Sequence, residues 1–151
     1  MTTIDAYEIA DRLYENTEVR QNWSQPSLRT WILEKCRCAY CDTDLLSTRG
    51  TCYCYFSEDH LLPKSLYPEL EFERENLILC CRHCNLLKLN YDPNKDGQPI
   101  YTEAENRKLD RKQIDELKKR ARCYVQREKQ RLEPSFEKAK ELITETLRAN
   151  G

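Results

Sequence analysis

Glu75-Asn-Leu-Ile-Leu-Cys-Cys-Arg-His-Cys-Asn-Leu-Leu-Lys88 decides how this chain is read. Leu77-Ile78-Leu79 is a short apolar strand, and a helix follows from about Cys84 to Asn90. Between them, Cys81-x-x-Cys84 sets two thiolates on one tight turn, the spacing of half a tetrahedral metal site. The other half lies upstream in Cys36-Arg-Cys-Ala-Tyr-Cys41, as Cys38-x-x-Cys41. Four cysteines make a closed, structural zinc site with no open position for substrate; an iron–sulfur cluster is the competing use. Cys36, Cys52, Cys54 and Cys80 are the competing ligands. Cys52-x-Cys54 is a poor chelate and fits an alternating strand better, while Cys36, Cys80 and Cys123 read as small buried hydrophobes.

Some forty residues separate the two pairs, which is long for a simple zinc ribbon and leaves room for a functional insertion. That insertion holds Ser57-Glu-Asp-His-Leu-Leu-Pro-Lys-Ser65. The β-branched and aromatic run Thr51 to Phe56 predicts a strand, paired through a turn at Arg49-Gly50 with a short strand near Leu45. Asp59 and His60 then fall at a strand end and point to opposite faces. They therefore do not chelate one ion together: one faces a cation and the other addresses a water. Pro63 and Pro68 mark an irregular loop. His60 is one of only two histidines; the other, His83, sits inside the second knuckle and points to solvent or supports the zinc.

Outward again, Ile4, Tyr7, Ala10 and Leu13/Tyr14 predict a helix over residues 3 to 14 capped by Thr2 or Thr3. A second runs from about Ser24 to Lys35 with Pro26 in its first turn and Leu28, Trp31 and Ile32 inward. Pro93, Gly97 and Pro99 mark a linker. Beyond it Ile114, Leu117, Ala121 and Val125 keep a helical spacing, as do Phe136, Ala139, Leu142/Ile143 and Leu147, with Pro134 breaking or kinking the two apart. The organisation expected is residues 1–35 as N-terminal helices, 36–92 as the core, 93–101 as linker and 102–151 as a helical extension.

The chain has 151 residues, 39% hydrophobic and 34% charged, so its apolar core is small and gains from a metal staple. A net charge of −1 excludes an indiscriminate polyanion binder. Residues 107 to 131 nonetheless carry eleven Lys/Arg against four Asp/Glu, a stretch able to lie along a phosphate backbone or to serve as a solvated helix face. The first ten residues carry no secretory signal, and no apolar stretch approaches membrane-spanning length. The expected location is cytoplasmic, where thiols stay reduced and able to bind metal.

Taken together, the 57–65 and 75–88 stretches resemble the HNH endonuclease motif in its cysteine-bearing form, over about residues 36 to 92. The resemblance implies an α+β fold: a small ββα-metal HNH core with a four-cysteine zinc site (Cys38, Cys41, Cys81, Cys84), flanked by N- and C-terminal helices. It implies His60 as general base, Asp59 and Asn85 as ligands of a catalytic Mg2+ or Mn2+, Asn76 as the residue holding the His60 loop, and Lys88 near the phosphate. Asn85 stands where many members have histidine, which favours a hard, oxygen-bound cation. The flanks, Trp23 to Lys35 and Pro63-Lys-Ser-Leu-Tyr-Pro68 with Leu70-Glu-Phe72, resemble the HNH nucleases of Septu and retron defence systems. Those act beside an SMC/ABC-like ATPase. The subgroup often has Glu-His where this chain has Asp59-His60, and this chain is short for it. The resemblance implies a nucleic-acid substrate, DNA ahead of RNA, and an ATPase partner, with the helical ends as docking surfaces.

Plainer readings stand beside these. Asn76 serves as a turn cap, Arg82 and Lys88 as helix-surface charges, and Trp23 and Trp31 as core anchors rather than base-stacking platforms. The alternative function is a non-catalytic zinc-stabilised module that binds nucleic acid or protein.

Overall fold

A computed structural model describes residues 2–103 and 108–150; Arg107, the first residue of the basic run, lies outside them. The described residues form an α+β chain in the order α1 (Thr3–Tyr14), α2 (Thr17–Asn22), α3 (Gln25–Leu33), β1 (Phe56–His60), β2 (Leu77–Cys81), α4 (Arg82–Lys88) and α5 (Arg111–Asn150). None of these helices is long and apolar enough to cross a membrane.

α1 begins where Thr2 and Asp5 cap each other, the hydroxyl accepting from Asp5 N at 3.1 Å and the carboxylate from Thr2 N at 2.9 Å. Its buried face is Ala6 and Ala10, small enough for α3 to approach closely, and Ile4 stays 70% exposed. Arg29 forks onto Asp11 at 2.6 and 2.9 Å to fix the two helices together. The sequence pattern did not mark α2, although its signal was present. Asn16 accepts from Glu18 N and Val19 N, an N-cap in the middle of a polar stretch. α3 is capped by Ser24 and buries Leu28 and Trp31. It stops at Glu34 because Lys35 (φ 55°) and Cys36 (φ 57°) both enter the left-handed region. That reversal aims the chain into the first cysteine knuckle.

The expected strand from Thr51 to Phe56 is not one. Thr51–Tyr55 wind as a turn of π-helix, and the strand begins only at Phe56. The register explains this: Phe56 pairs with Cys81, and after Cys81 the chain turns into α4, so residues 51–55 have no ladder partner. Strand preference without a neighbour to pair with does not make a strand. The short strand near Leu45 shrinks to a bridge between Arg37 and Asp44. α4 also starts two residues earlier than the pattern implied, with Cys81 as its cap.

The core gathers Trp31, Tyr40, Leu45, Leu61, Leu79 and the inner face of α5 into one cluster. Trp31, 1% exposed, edge-on to Trp23 and tilted against Phe56, is the core anchor expected. Residues 93–101 fold down onto it through Asn94, which bonds to Tyr101 O and to the amides of Ile100 and Tyr101. α5 runs unbroken through Pro134. The backbone hydrogen bond that proline removes falls in an exposed stretch, where water can satisfy the freed carbonyl. Its first half buries Ile114, Leu117, Ala121 and Val125, whereas every residue from 130 to 150 except Thr144 is exposed. Cys123 lies on the outer face of α5 and is exposed, contrary to the buried role the pattern suggested.

Candidate functional site

Two clusters adjoin the hairpin. The first is the cysteine centre. The strand-to-helix junction puts Cys81 at the cap of α4 and Cys84 in its first turn, with Cys84 N donating to Cys81 Sγ at 3.4 Å. The first knuckle is tied by Asp42 N to Cys38 O, and Ala39 N joins it to β2 through Leu79 O. The sulfurs of Cys38, Cys41, Cys81 and Cys84 all lie within 4.8 Å of one another. A zinc ion at Zn–S distances near 2.3 Å needs sulfur–sulfur edges of about 3.8 Å, and Cys41 and Cys81 are already 3.7 Å apart. Hydrogen bonds from Cys38 and Cys81 hold the Cys41 thiol below its ordinary range, while bonds to the same neighbours hold Cys38 and Cys84 above theirs, so in the absence of an ion the four sulfurs share protons that a metal would displace. The residues present therefore fit zinc.

Around this centre stand residues the sequence did not tie to it. Thr43 Oγ1 lies 3.1 Å from Cys41 Sγ. Burial, then a hydrogen bond to Cys81, pushes Tyr55 up to about 12. Burial works against the Lys129 charge, but the charges of Cys84 and Cys41 hold its pKa above the ordinary lysine value. Four thiolates and one Zn2+ carry a net charge of −2, and a lysine supplied by α5 offsets part of it. No local pattern points to Lys129, forty-five positions beyond Cys84 in the chain.

The second cluster lies on the Ser57/Asp59 face of β1, which α4 covers. Asn85 Nδ2 donates to Ser57 Oγ at 2.8 Å. One turn on, Lys88 Nζ reaches Asp59 Oδ2 at 2.9 Å and His60 O at 3.0 Å. Tyr40, from the first knuckle, donates to the same Asp59 oxygen at 2.6 Å. Burial and then the Asp59 charge push the Tyr40 phenol well up, so it remains a donor. Lys88 is 0% exposed, so it is neither a helix-surface charge nor open to a phosphate in this arrangement. Asp59 Oδ1 and Asn85 Oδ1 take no hydrogen bond among the described residues, and a carboxylate and an amide are donor types that hard cations take, but the Lys88 ammonium already neutralises this carboxylate.

His60 points to the other face. Its Nε2 is 3.0 Å from Glu71 O. A carbonyl only accepts, so Nε2 carries a proton, and in the neutral ring Nδ1 is then the nitrogen with the lone pair. Asn76, 0% exposed, clamps the loop that follows: its Oδ1 accepts from Leu62 N at 2.8 Å and its Nδ2 donates to Leu62 O at 2.9 Å. Asn76 thus bonds far more than a turn cap would. His83 and Arg82 are exposed, and the exposed Glu58 accepts from Ser27 Oγ. Of the sequence-marked residues, the structure joins Asp59, Asn85 and Lys88 on one face, sets His60 on the opposite face beside the Asn76 clamp, and gathers the four cysteines separately. Tyr40 was missed; its position between the knuckle cysteines was the only hint.

No family model and no solved structure matches the chain. Among curated proteins it is similar to the Septu protein PtuB of Bacillus thuringiensis, with 32% identity over 76 residues. That alignment covers 49% of this chain but only 28% of the relative's length, so the chain spans well under a third of the protein it matches.

Proposed function

We propose that this chain is a metal-dependent HNH endonuclease that hydrolyses nucleic-acid phosphodiester bonds, the nuclease subunit of an antiphage complex with an SMC/ABC-like ATPase. The observation that carries the reading is the two-sided end of β1. Asp59 shares the α4-covered face with Asn85, while His60 points the other way, its Nδ1 taking no hydrogen bond among the described residues, beside a loop clamped by Asn76. His60 Nδ1 would take the proton of the attacking water. Asp59 and Asn85 would hold Mg2+ or Mn2+, which supplies charge neutralisation on the phosphate and its leaving oxygen. The similarity to a Septu protein supports the defence setting.

A basic cleft supports a nucleic-acid substrate. Lys35, Arg37, Lys118, Lys119 and Arg122 line a cavity of about 290 Å3 beside the first knuckle together with Glu34, Asp42 and Asp115, and although Lys118 pairs with Glu34 and Arg37 with Asp42, a basic excess remains. The test is cleavage of plasmid, single-stranded DNA and RNA by wild type and His60→Ala with Mg2+ or Mn2+. A lost general base costs roughly 10²–10⁴-fold in rate. Metal-dependent cleavage at an unchanged rate in His60→Ala would falsify the assignment. A second reading, a zinc-built binding module, is favoured by one observation: Lys88 and Tyr40 already satisfy Asp59 Oδ2. Binding without cleavage, indifferent to His60→Ala, would establish it.

A further inference from the structure

The second half of α5 projects from the body with its apolar residues in water. Leu132, Phe136, Ile143 and Leu147 are 40%, 61%, 60% and 68% exposed. A bare helix of this length is marginal in water even with good helix formers, and this one also carries Pro134. Leu132, Phe136, Ala139 and Ile143 follow the four-three-four spacing of a coiled-coil seam. Pro134 falls diametrically outside that seam, so its ring and the carbonyl it frees face solvent rather than the seam.

We infer that this half of α5 pairs antiparallel with the same segment of a second copy of the chain. In the register that centres the seam, Phe136 stacks over the partner's Ala139 and Leu132 over the partner's Ile143, a large side chain meeting a smaller one in each layer. Between those layers Glu133 comes beside the partner's Lys140, and two-fold symmetry repeats the pair. The parallel arrangement is opposed by charge, because it sets Glu128 beside the partner's Glu133 in both copies. The antiparallel register also finds a receptor at the foot of the free half. His83, Leu87, Leu132 and Phe136 line a cavity of about 290 Å3 between α4 and α5, and the partner's Ile143 arrives opposite Leu132 at its edge. The dimer thus closes on the outer face of α4, the helix whose inner face carries Asn85 and Lys88.

The experiment is light scattering and sedimentation equilibrium on the zinc-loaded whole chain. The expected mass is twice 18.1 kDa. Phe136→Asp with Ile143→Asp returns the mass to 18.1 kDa while zinc content stays unchanged, because both side chains are exposed in the single chain. Lys140→Glu or Glu133→Lys alone raises the dissociation constant roughly 4- to 30-fold, since two attractive pairs become repulsive. The double reversal Glu133→Lys/Lys140→Glu restores it. A wild-type mass of 18.1 kDa at every accessible concentration overturns the inference and leaves the face to a different protein. A dimer that ignores both single reversals overturns the register.

Discussion

Lys88→Met tests the buried pair at the heart of the site. The Lys88 ammonium is fully enclosed and bonds to Asp59 Oδ2 at 2.9 Å and His60 O at 3.0 Å. Removing it leaves the Asp59 carboxylate, 7% exposed, with Tyr40 as its remaining side-chain donor. Breaking one side of a buried pair costs about 3–5 kcal/mol, because the remaining charge stays buried without its counterion. For a chain of this size about 1 kcal/mol moves the midpoint by roughly 2–4 °C, so the loss is about 6–20 °C. Asp59→Asn keeps an acceptor for Tyr40 and removes the charge, so Asp59→Asn/Lys88→Met recovers most of that loss. The assay is thermal and urea unfolding of the four zinc-loaded proteins, read as a double-mutant cycle. Under the nuclease reading, Mg2+ raises the midpoint of Lys88→Met more than that of wild type, as the cation replaces the missing ammonium. A Lys88→Met midpoint within about 1 kcal/mol of wild type, the range of an exposed pair, refutes the reasoning. So does strict additivity in the cycle.

Other outcomes follow from the same geometry. Chelating the zinc, or Cys41→Ser, removes the link between the first knuckle and α4; metal analysis then shows less than one zinc per chain, and the hairpin loses its amide protection from hydrogen exchange. Retained protection would show that the cluster does not staple the fold. Under the nuclease reading, Lys119→Glu with Arg122→Glu weakens nucleic-acid binding and flattens its salt dependence, the slope falling by about 0.9 for each phosphate of duplex DNA that the cleft no longer neutralises; an unchanged slope would remove the basic cleft from the interface.

What the sequence made legible was what local spacing dictates. The two cysteine pairs are read from three-residue intervals, and the four sulfurs do meet. The opposite facing of Asp59 and His60 follows from the two-residue period of a strand. What stayed hidden depends on distant partners. The 51–55 run looks like a strand, but its neighbour ends at Cys81. Lys88 looks like a surface lysine until α4 is laid on β1 and its ammonium meets Asp59. Tyr40 and Lys129 gain their roles only because the first knuckle is brought against Asp59 and α5 against the cysteine sulfurs. Pro134 reads as a breaker because the rule describes what a proline costs, not whether water can repair the loss.

The cysteine junction at Cys81 also sets an order of events during synthesis. Cys38 and Cys41 leave the ribosome first and hold only half a site until Cys84 follows, some forty residues later. At translation rates of 5–20 residues per second that wait is about 2–8 s. β2, α4 and the Asn85 side chain are made in the same short burst that completes the sulfur cluster, so metal capture and the assembly of the Asp59 face come together. The nascent chain passes through no stage in which the Asp59–Asn85 face is built while the cysteine site still lacks its last ligand, because Cys84 immediately precedes Asn85.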